Sequence, residues 1–118
     1  MIYDELPIFK ASLDFVVYIE TIVKNFDKYH KYTIGLDLRT YSKKLLFLVH
    51  RANISKDGRK AILEQMRDIC EEIKMLIRIA KELNAFKSFN SFEHSTKLIV
   101  DICKQSQNWL KCTAGAIK

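Results

Sequence analysis

Lys60, Arg67, Lys74, Arg78 and Lys81 recur along one arc of a helical stretch, and their shared chemistry is attraction of anions, phosphate and carboxylate above all. On the opposite arc, Ile62, Met66, Ile69, Ile73, Leu76, Ala80 and Leu83 are spaced alternately four and three residues apart. That spacing holds them in a narrow stripe suited to burial. Glu64 and Glu71 interleave with the first three cations, so part of the basic arc is explained by ion pairs within the helix, worth about 0.2 to 0.5 kcal/mol each. From Lys74 onward, Arg78 and Lys81 have no acid on the same arc, although cations near a helix C-terminus also suit the macrodipole. On these residues alone, a solvated structural face and a binding face weigh equally.

Other reactive side chains are placed less suggestively. His30 falls in a loop, His50 on a charged helical face and His94 near a helix start, so no two are positioned by sequence to share a metal. No Glu-x-x-His pair of the di-iron bundle type is present. Cys103 and Cys112 are nine residues apart on one helix, roughly 13 Å, too far for a common ion. The three thiols read as small buried apolar groups in a reducing compartment. With no local nucleophile–base pair and no glycine-rich phosphate loop, we expect neither enzyme activity, nor a cofactor, nor a metal.

The 118 residues suit one domain, 1–118, and a net charge of +6 is compatible with nucleic acid or an acidic protein surface as partner. Three glycines and one proline leave little material for β-turns, which favours an all-α fold. Asp4 and Glu5 stand where a secretory leader would carry positive charge, and no apolar run is long enough for a membrane span, so a cytoplasmic protein with no membrane partner is expected.

Four helices are predicted to position these groups. The first opens at Pro7 and reaches about Phe26, with the loop Asp27 to Tyr32 after it. A second is capped by Thr33, carries Gly35 at little cost in its first turn, and buries Ile34, Leu38, Tyr41, Leu45, Leu48 and Ala52 before ending near Asn53. The third is capped by Ser55 or Asp57 and continues to about Ala85. Asn90, with Glu93 three residues on, forms a capping box for the fourth, which buries Ile99, Ile102, Trp109 and Leu110 and ends at Gly115. Short connections make each helix fold back on its neighbour, giving an up-down-up-down antiparallel four-helix bundle.

One core does not account for every apolar residue. Leu13 and Val17 project away from the Ile8, Phe15, Ile19, Ile22, Phe26 stripe, and Phe47 lies among Lys43, Lys44, His50 and Arg51. Several such residues on adjacent helices predict a self-association surface formed by the first two helices.

Leu6-Pro7-Ile8, Phe26, Tyr32-Thr33-Ile34-Gly35, Arg51-Ala52, Leu76 to Lys81 and Asn108-Trp109-Leu110-Lys111, in this order, resemble the accessory variability determinant proteins of diversity-generating retroelements. They also touch the related four-helix proteins encoded in intervening sequences of 23S ribosomal RNA genes. The first resemblance implies a non-enzymatic accessory protein assembled as a barrel-like homopentamer, binding a reverse transcriptase and its template RNA or the DNA copied from it. Basic positions of that family match Lys74 and Arg78; Lys81 extends them, and Arg39, Lys43 and Arg51 form a second candidate patch. The second resemblance implies a structural or protein-interaction bundle with no nucleic-acid role. Asp27 departs from the first pattern, standing where its members often carry proline.

Overall fold

Pro7, whose fixed φ suits a first helical turn and whose missing N–H is unneeded there, opens α1 (Pro7–Val23). The computed structural model describes residues 6–117, with side chains through Thr113, so Asp4 and Glu5 lie outside the described residues. A single turn, α2 (Lys28–Lys31), precedes α3 (Ile34–Ile54), α4 (Arg59–Glu82) and α5 (Phe89–Ile117). The helix α1 packs on α3 and α5, and α4 packs on the same two, which closes the long helices into a square four-helix bundle. Its dimensions, 49 × 24 × 21 Å, match helices lying along one axis, since the 29 residues of α5 alone span about 43 Å.

The apolar stripes meet at the centre. Phe15 and Ile19 from α1, Leu38 and Leu45 from α3, Met66 and Ile73 from α4, and Ile99 and Ile102 from α5 are all fully enclosed. Arg59 fastens one end of the bundle. Its Nε donates to the Ala52 carbonyl at 2.6 Å and Nη2 to the Asn53 carbonyl at 3.0 Å, while its guanidinium lies 5.8 Å from the Trp109 ring centroid. One side chain thereby satisfies carbonyls in the last turn of α3, starts α4 and covers α5.

Several predicted boundaries are corrected. The first helix stops at Val23, and the expected loop after it contains α2. Thr33 stands at the N-cap of α3, yet its hydroxyl donates backward to the Tyr29 carbonyl at 2.8 Å and caps nothing. Gly35 is not a cheap first-turn residue: a Cβ there would lie 2.8 Å from both the His30 carbonyl oxygen and Val23 Cγ1, so the approach of α2 to α3 requires glycine. Neither Ser55 nor Asp57 caps α4. Gly58 occupies that position at φ 79°, a left-handed conformation that removes the cost a side chain would bring.

At its other end α4 finishes at Glu82, and Asn84 turns the chain at φ 58°. Leu83, predicted in the buried stripe, is 47% exposed, and Leu76 is only half-buried; Leu63, Cys70 and Ile77 take up the burial instead. The stripe slews because a 3.6-residue helix drifts out of phase with a strict seven-residue repeat. Asn90 and Glu93 form no cap. Ser88 does, its Oγ accepting the Ser91 N–H at 3.1 Å, and α5 runs through Gly115 to Ile117.

Candidate nucleic-acid and partner interface

The helix α4 turns its basic arc toward α5. Lys74 lies beside the buried Cys103, and Lys81 Nζ sits 5.0 Å from the centre of the Phe92 ring. Lys74 pairs with Glu71, as the interleaved acids imply, whereas the expectation that Arg78 lacks an acid is overturned. Lys74 Nζ meets Glu71 Oε2 at 2.9 Å, and Arg78 Nε meets Glu82 Oε2 at 3.2 Å. The Glu71 hydrogen bond raises the Lys74 pKa and keeps that ammonium charged. Glu82 stands four residues after Arg78, the spacing at which side chains meet on one helical face. Lys81 lies over a ring face and makes no ion pair among the described residues.

Arg39, Lys43 and Arg51 lie elsewhere. Lys43 pairs with Glu20 of α1 at 3.1 Å, and Arg39 Nη2 donates to the Lys31 carbonyl at 3.4 Å, so both belong to the α1–α3 flank. Arg51 is exposed in the last turn of α3. The two basic patches therefore occupy opposite flanks and do not merge into one surface.

Leu13, Val17 and Phe47 are all exposed, Phe47 by 61%. Phe47 borders two shallow cavities. One, of about 330 Å³, also takes in Leu36, Arg39, Thr40, Lys43 and Lys44; the other, of about 220 Å³, is shared with Phe9, Leu46 and His50. Phe9 stands one turn before Leu13 and Glu20 reaches Lys43, so the exposed apolar residues of α1 share the flank of Phe47. Basic and apolar surface are thus combined on the α1–α3 side.

Two features escaped the sequence reading. Met75 and Ile79, exposed and four residues apart, form with Asp37, Tyr41, Glu72 and Leu76 an apolar hollow of about 260 Å³ on the α3–α4 side, acidic at its rim. Their spacing off the main stripe was the available signal. In addition, Cys70 and Cys103 face one another across α4 and α5, where thiol contact and burial push the Cys70 pKa up while the same contact draws that of Cys103 down. Each follows its own helix's apolar pattern, which reveals burial but not juxtaposition.

Among the described residues, no group of three His, Cys, Asp or Glu side chains is arranged to hold a metal ion, and no helix is long and apolar enough to cross a membrane. A search of curated proteins finds no match to the chain. A family model described as bAvd-like, however, matches residues 8–113, nearly the whole bundle, and the chain belongs to the bAvd-like family.

Proposed function

We propose that this protein is a non-enzymatic accessory protein of a diversity-generating retroelement, working as a barrel-like homopentamer that holds the reverse transcriptase and its template RNA or cDNA and so supports mutagenic cDNA synthesis. Family membership over residues 8–113 carries this reading. Surface chemistry supports it: Lys74, Arg78 and Lys81 on one flank and Arg39, Lys43 and Arg51 on the other offer cations to a polyanion, and a ring would repeat each patch around its circumference. The pairs that Lys74, Arg78 and Lys43 form with neighbouring acids are exposed, where such pairs hold weakly and phosphate competes well. Contacts of this kind grip backbone and carry little sequence information, so selectivity falls to the polymerase or to RNA shape.

Those same pairs favour a second reading, a structural or protein-interaction bundle of the ribosomal intervening-sequence type in which they serve only to balance charge. Lys74→Glu with Arg78→Glu separates the two. We expect this double variant to stay folded and lose polymerase or RNA binding by at least tenfold, with log affinity for the unaltered protein falling steeply with log salt. A flat salt dependence and an indifferent double variant would favour the rival.

A further inference from the structure

At the end of the bundle where α4 gives way to α5, four aromatic rings form a ladder from the core to the surface. Phe26 is buried; its ring centroid lies 5.5 Å from that of Phe86, Phe86 lies 5.9 Å from Phe92, and Phe92 lies 5.6 Å from Phe89. Phe89, the last rung, is 65% exposed. A surface phenylalanine held by a ring behind it, itself braced from the core, is a rigid platform.

The ladder borders a cavity of about 270 Å³, whose polar lining is Lys81, Asn84, Lys87 and Ser88. Lys81 makes no ion pair among the described residues. Lys87 reaches Asp27 Oδ1 at 2.7 Å and ties the cavity to the segment that bears Tyr29, 74% exposed. Other acids nearby are Glu82, taken up by Arg78, and Glu93 on the first turns of α5. Exposed ring faces interleaved with ammonium groups match a ligand offering flat π-faces along an anionic backbone.

We propose that this end of the bundle binds single-stranded nucleic acid, with an unpaired base stacked on Phe89 and the adjoining phosphates held by Lys81 and Lys87. The inference rests on the reading that the protein handles nucleic acid, and adds a site and a mode to it. The site selects a single strand because a duplex buries the base faces that Phe89 and Tyr29 would meet. The cavity is smaller than the pocket of a drug-sized ligand, which suits one base and not a folded partner. Asn84 supplies an amide with both donor and acceptor at the cavity wall, the kind of group that pairs with a base edge. Asp27 works against the site by occupying Lys87.

Fluorescence anisotropy with a labelled oligouridine, and with a blunt RNA duplex of equal length, tests this at low salt. We expect Phe89→Ala and Phe89→Leu to weaken single-strand binding by roughly tenfold, the loss of one base stack, with Phe89→Trp retaining it and duplex binding unaltered in all three. Asp27→Asn, which frees Lys87, should tighten single-strand binding. If Phe89→Ala and Phe89→Leu bind the oligouridine as the unaltered protein does while Lys74→Glu with Arg78→Glu loses it, the inference falls and the proposed function stands. Loss of polymerase binding alone in Phe89→Ala would mark the end as a protein-docking surface and also overturn the inference. If the unaltered protein binds neither oligouridine nor duplex, the inference and the nucleic-acid part of the proposed function fall together.

Discussion

Arg59 shows how much one side chain can contribute when its donors and its flat face are used at once. Its two hydrogen bonds go to carbonyls that the end of α3 leaves without helical partners, and its guanidinium covers Trp109. Replacing it with alanine should destabilise the bundle by about 2 kcal/mol in urea unfolding, and Arg59→Lys should recover only part, since a point charge cannot span both carbonyls. Asp27 offers a subtler residue-level test. Its hydrogen bond and charge interaction with Lys87 hold its carboxyl below the usual carboxylate range. A carboxyl lowered on folding contributes stability that is complete above its unfolded pKa and is lost as the pH falls through the folded one. Carbon-detected NMR titration should therefore show the Asp27 midpoint rising toward the ordinary carboxylate range in Lys87→Met.

At the scale of elements, periodicity was legible and termini were not. The stripes of α1 and α3 follow from spacing alone because burial of one face dominates helix packing, and every residue assigned to the α1 stripe is buried. Caps depend on which of several small polar residues the chain geometry brings to the first free N–H groups, and that geometry is set by the neighbouring helices. Asn90 and Glu93 matched the capping box in type and spacing, yet Phe89 is already helical and Ser88 supplies the cap. Ser88→Ala should cost about 1 kcal/mol in thermal or urea unfolding and Asn90→Ala less than about 0.5, the reverse of the ranking that sequence implies. The candidate sites divide similarly. Exposure of Leu13, Val17 and Phe47 was readable as a violation of period, and the partners of Lys74 and Arg78 stand at the three- and four-residue spacings of helical ion pairs, whereas the cavity beside Phe89 depends on a loop, which leaves no periodic trace.

For the whole molecule, the ring proposed above would place a demand that a dimer does not. Cyclic assembly with more than two subunits is heterologous, so the face built on Phe47 must dock on a different face of the next copy. The hollow around Ile79 and Met75 is the counterpart the structure offers: it lies on the adjacent side of the square, it is apolar at its floor, and Asp37 and Glu72 answer Lys43 and Lys44 around Phe47. Two sides of a square that meet at a corner lead successive copies around a closed path, whereas opposite sides would lead them into a straight filament. If the protein assembles in this way, Phe47→Glu and Ile79→Glu, both at exposed positions, should each leave it monomeric by sedimentation or native mass measurement. Mixing the two is the decisive step. Each variant retains the face that the other has lost, so an equimolar mixture should form a one-to-one heterodimer and stop there. Two-fold contacts through the Phe47 face alone would instead leave Ile79→Glu self-associated and the mixture without a new species.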